Sequence, residues 1–91
     1  MTEGIIHRFR LYIVNSSPAG RRAIINFKKF SEKLTNNEIE LEVVDILENP
    51  AMAESDHIIA VPALVRLSPS PVTKIIGDLS NTSGLSAFFG I

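Results

Sequence analysis

The sequence predicts a small α/β domain with the element order β-α-β-α-β-β-α. Three observations carry this reading. Short β-favouring segments alternate with a long segment of helical periodicity. Two helix starts are marked by a polar capping residue followed by proline, Ser17-Pro18 and Asn49-Pro50. Two apolar runs in the second half are separated by the turn "SPSP" at 68–71.

The first strand is read over Phe9 to Val14, where Phe9, Leu11 and Ile13 alternate with Arg10 and Tyr12. Asn15 to Gly20 forms a turn, in which Ser17 caps a helix and Pro18 takes its first position. That helix is expected to run to about Leu34. Ala23, Phe27, Phe30 and Leu34 form its apolar stripe, widened by Ile24, while Arg22, Lys28, Lys29 and Lys33 lie off it. "TNNE" ends it. Ile39, Leu41 and Val43 alternate with Glu40, Glu42 and Val44 in a half-buried strand.

A short helix is expected from Pro50 to about Asp56, and then the apolar run "HIIAVPALVRL", interrupted by Pro62. Val72 to Ile76 is the last strand, ended by Gly77. Asp78 or Ser80 is expected to cap a final helix in which Leu85, Phe88 and Phe89 share a face, and which Gly84 weakens by about 1 kcal/mol against Ala. The first half is a βαβ unit with parallel strands and a right-handed crossover. The whole order is that of a thioredoxin-like fold.

Bulk properties narrow the function. Ninety-one residues make one domain, 1–91, with a core that is possible but small. A net charge of −1 provides no global field for nucleic acid or anionic lipid. No apolar run approaches the roughly 18 residues of a membrane span. "MTEGIIHRFR" lacks the apolar stretch of a signal peptide, so a cytoplasmic protein is expected. Zero cysteines exclude disulfides, thiol redox chemistry and thiolate metal sites.

The turn sharpens that exclusion. Where a thioredoxin carries C-G-P-C, this chain has Ser16-Ser17-Pro18-Ala19, and both sulfur positions are empty. Ser16 would need an adjacent base to act as a nucleophile. The two histidines, His7 and His57, stand fifty residues apart in no catalytic or metal-binding spacing and read as surface residues. Pro62 sits where thioredoxin-like folds place a proline before the third strand. It reads either as a cis landmark or as a trans proline at a strand edge.

Glu38, Glu40 and Glu42 project at period 2 and read as the solvated face of a one-sided strand. "GDLSN" lacks the glycines and lysine of a phosphate loop and reads as a helix start. Arg21, Arg22, Lys28, Lys29 and Lys33 are the one basic concentration. They read as a solvated helix face, with a docking surface for an acidic partner as the alternative. No cofactor site is legible. Taken alone, these residues point to binding rather than catalysis.

The strings "LYIVNSSP", "VVDILENP", "VPALVRLSPSPV" and "KIIGDLSN" add a resemblance. From about Arg8 to Asn81 the chain closely resembles the KaiB family of circadian-clock regulators and their bacterial and archaeal homologues. The resemblance implies a non-catalytic protein. It also implies two possible folds that share the first half of the chain. One is a ground fold, β-α-β-β-α-α-β, packed as a dimer or tetramer. The other is a thioredoxin-like fold that binds the ATPase KaiC, with binding limited by the population of the competent fold. Pro62, Pro69, Pro71 and Phe88 lie in the region that changes.

The family's basic contact positions are matched in kind by Arg10, Arg22 and Lys74. Glu42 and His57 stand where cyanobacterial members carry lysine. Phe88 and Gly90 replace a glycine and an aspartate, and Ser70 replaces a proline. These departures imply a homologue that binds a KaiC-type ATPase outside a KaiA-driven oscillator, in clock-like or stress-adaptation regulation. The competing reading is a redox-inactive thioredoxin-like domain with another protein-binding role.

Overall fold

The computed structural model describes residues 5–34 and 38–90. Its elements are β1 (Ile6–Ile13), α1 (Pro18–Glu32), β2 (Glu38–Asp45), α2 (Pro50–Ser55), β3 (Ala63–Ser68), β4 (Thr73–Ile76) and α3 (Thr82–Phe89). The order is the thioredoxin-like one and not the alternative β-α-β-β-α-α-β. One four-stranded sheet has the order β2-β1-β3-β4. β1 and β2 are parallel, whereas β3 and β4 join antiparallel.

Strand alternation sends β1 side chains to two different cores. Phe9, Leu11 and Ile13 face α1 and α3, where they meet Ala23, Phe27, Phe30, Leu79, Leu85 and Phe89. Phe9 packs edge-on against both Phe27 and Phe89, with ring centres 5.1 Å apart in each case. On the other face, Tyr12, Val44, Ala63 and Val65 form a smaller core packed by Met52 and Ala53 of α2. α2 is only six residues, about 9 Å long, against about 26 Å for an eight-residue strand. It therefore covers only part of that face.

α1 begins as the capping signal requires. Ser17 is extended, its hydroxyl accepts from the Gly20 amide at 3.2 Å, and Pro18 opens the helix. Gly20 lets α1 approach β1 closely: a Cβ there would lie 3.1 Å from the Ile13 Cβ and from the Val14 carbonyl. Val61–Pro62, Ser68–Pro69 and Ser70–Pro71 are cis.

Several local expectations need correction. Val44, not Val43, is the buried valine of β2, because it pairs with Tyr12 on the α2 face. Asn49 precedes α2 without a side-chain cap bond. Asn81, not Asp78 or Ser80, caps α3, accepting from the Gly84 amide at 3.1 Å. Asp78 instead accepts from the Ser80 amide within the loop. Leu85 and Phe89 are buried, but Phe88 is 54% exposed. His7 is buried rather than at the surface, because it shares the inward register of Phe9. The "TNNE" segment lies mostly outside the described residues.

Candidate protein-docking face

The register of three strand pairs builds a continuous row across the α2 face. Arg10 sits opposite Glu42 on β2 and Val65 on β3, and Val65 sits opposite Lys74 on β4. Two of the three sequence-selected cations, Arg10 and Lys74, therefore share one face, only one strand apart. Below that row Arg8 pairs with Glu40 at 3.1 Å. A shallow depression of about 360 Å³ lies between these two ion pairs, with Leu67 also lining it.

Arg10 is the best-anchored of the cations. Its Nε donates to Glu42 at 2.9 Å and its NH1 to Asp56 at 3.0 Å. Asp56 immediately follows α2 and also accepts from the Tyr12 hydroxyl, which reaches the Met52 carbonyl at 3.1 Å as well. Partial burial works against the charge of Arg10, but bonds to Glu42, Tyr12 and Asp56 outweigh it and hold the guanidinium well above its ordinary pKa. Burial pushes Asp56 up, yet the bonds from Tyr12 and Arg10, aided by the nearby charge of Lys74, leave it below the usual carboxylate value. The Tyr12 hydroxyl is raised, first by burial and then by its bond to Asp56. Lys74 is exposed and makes no ion pair among the described residues.

Arg22 lies elsewhere. On α1, across the sheet, its Nε donates to Asp78 at 2.9 Å, while Asn26 donates to the Asp78 carbonyl at 2.9 Å. Together they tie α1 to the loop between β4 and α3. Arg21, Lys28 and Lys29 are exposed on the same helix, and Lys33 is exposed at its C-cap. Pro69 and Pro71 are exposed in the β3–β4 turn and Pro62 is buried beside β3.

The turn offers a cap where redox chemistry would sit. Ser17 spends its hydroxyl on the Gly20 amide, and Ser16 is exposed. His7 lies six strand residues below Ile13, about 20 Å from the turn, too far to serve Ser16 as a base. His57 is exposed, and its Nδ1 lies 3.3 Å from the Ser55 carbonyl. Among the described residues, no three His, Cys, Asp or Glu side chains cluster to hold a metal, and no helix is long and apolar enough to cross a membrane.

Sequence reasoning missed Asp56 and Tyr12. One signal was available: an aspartate at a helix C-terminus opposes the helix dipole, so it needs a partner from elsewhere.

Fold and face together define a thioredoxin-like domain with a structural cap where the redox turn would be and a sheet face with an exposed charged margin. The KaiB domain description matches residues 10–91. The chain is 42% identical over 72 residues to the circadian clock oscillator protein KaiB of Thermosynechococcus vestitus, covering 79% of this chain and 67% of that protein. It matches the KaiB1 protein of a Synechocystis strain at the same identity, covering 79% and 69%. This chain belongs to the KaiB family.

Solved structures agree on the fold. The N-terminal domain of Synechococcus elongatus SasA superposes with a TM-score of 0.77 at 19% identity, over 98% of this chain and 84% of that one. Mitochondrial thioredoxin 3 of Saccharomyces cerevisiae superposes at 0.73 with 16% identity, over 92% and 76%.

Proposed function

We propose that this chain is a non-catalytic regulatory protein that docks on a KaiC-type ATPase, in circadian-clock-like or stress-adaptation regulation. The observation that carries the proposal is the register Glu42–Arg10–Val65–Lys74, which sets exposed Glu42 and Lys74 and half-buried Arg10 around a buried Val65 on the α2 face. Its membership of a family whose relatives include circadian clock oscillator proteins supports the regulatory role.

In this reading Lys74 is the cation presented to an acidic partner surface. Arg10 keeps the face in shape through Glu42 and Asp56. Arg22, on the opposite side, serves a second contact or holds the loop at Asp78. The protein is read as one cytoplasmic domain, residues 1–91, assembling as a dimer or tetramer when not engaged. Pro62, Pro69, Pro71 and Phe88 belong to the part of the chain that would rearrange.

The test is size exclusion after several hours of mixing with the cognate KaiC-type ATPase, with and without nucleotide. A co-eluting complex is expected, and none under either condition would overturn the proposal. Lys74→Glu should weaken the complex on the order of tenfold, mainly through slower association. Insulin reduction should be zero.

A further inference from the structure

Arg66 is the one strongly buried cation among the described residues, at 8% exposure. It stands on β3 opposite Phe9 and Thr73, on the face that carries α1 and α3. Its NH1 donates to the Phe89 carbonyl at 2.9 Å, and its guanidinium carbon lies 5.2 Å from the centre of the Phe89 ring. One side chain therefore grips both the backbone and the ring of the last residue of α3. That carbonyl is one of those a helix leaves unbonded at its C-terminus, where the dipole favours a cation.

The rest of the seat of α3 rests on two side chains. The helix has eight residues, contains Gly84, and buries Leu85 and Phe89 while Phe88 stays half in solvent. Its polar fit is incomplete. Among the described residues, the Arg66 Nε and the Thr73 Oγ1, neighbours on this face, are both buried without a hydrogen-bond partner. Such groups favour any state that returns them to water. In the sheet beneath, Leu11 of β1 and Leu64 of β3 pair fully buried.

We propose that Arg66 is a latch: it holds α3 on the sheet, and α3 opens as a local unit, ahead of the sheet, when that grip is lost. The proposal goes beyond the docking function and needs no partner for its test.

Native-state hydrogen exchange on the full chain reads it directly. In the wild type, the α3 amides of residues 86–89 should exchange faster than those of Leu11 and Ile13 in β1. Arg66→Met keeps an apolar stem but removes both grips. It should speed α3 exchange on the order of ten- to a hundredfold while leaving the β1 amides unchanged. Arg66→Lys, which retains the charge without the planar fork, should fall between the two. Equal wild-type rates for α3 and β1 would overturn the latch, as would unchanged α3 exchange in Arg66→Met or an equal speeding of every element. If Arg66→Met does not fold, Arg66→Lys and the wild-type comparison still decide.

Discussion

Arg10 and Asp56, 46 residues apart in the chain, are joined at 3.0 Å across the α2 face. That bond pins the end of a six-residue helix to the central part of the sheet, and Tyr12 supports it from the next position on the same face. Asp56→Asn is expected to cost about 1–3 kcal/mol at neutral pH, because it removes a charged acceptor from two donors. The pH dependence has a definite sign. The folded-state pKa of Asp56 is lowered, so its contribution is full above the ordinary carboxylate range and is lost as pH falls through the lower folded value. Urea unfolding of the two proteins should therefore show a gap that closes below about pH 4. A gap that persists unchanged in acid would contradict this.

Phe88 and Phe89 are chain neighbours with opposite environments, 54% and 5% exposed. Phe89→Ala should cost about 3–5 kcal/mol, since its ring packs against Phe9 and Phe30. Phe88→Ala should stay within about 1 kcal/mol, losing little beyond an edge-on contact with Phe89. Thermal unfolding of the two variants distinguishes them, and equal losses would refute the assignment of faces.

Ser16 and Ser17 divide in the same way. Ser17→Ala removes the cap on the Gly20 amide and should cost about 1 kcal/mol. Ser16→Ala should be within about 0.5 kcal/mol of wild type. Both are measured by chemical denaturation.

The Arg22–Asp78 pair lowers the Asp78 pKa chiefly through the hydrogen bond from Arg22. In Arg22→Ala, a carboxyl NMR titration should show Asp78 moving up towards the ordinary range. High salt should move the wild type in the same direction, because Arg22 is exposed and screening is effective there.

The element order, the Ser17–Pro18 helix start, the Ala23–Phe27–Phe30 stripe and the missing sulfurs were all legible in the sequence. Each depends on residues within one or two turns of one another, where propensity and capping act. Local capping is legible only in part, since Asn81 rather than Asp78 or Ser80 caps α3, while His7 and Val44 depart from expectation for a non-local reason. His7 alternates in phase with Phe9, so it follows the inward face of β1; its polarity had suggested the surface. Val44 is buried because Tyr12 is its cross-strand neighbour.

By itself the sequence determined a β-α-β-α-β-β-α chain with a capped, sulfur-free turn and a set of cations. Only the tertiary structure decided which cations act together. The strand order β2-β1-β3-β4 and its register put Arg10 and Lys74 on one face and Arg22 and Arg66 on the other. The physical reason is separation: Arg10 meets Asp56 across 46 residues and Arg66 meets Phe89 across 23, distances at which sheet register, rather than local preference, chooses the partner.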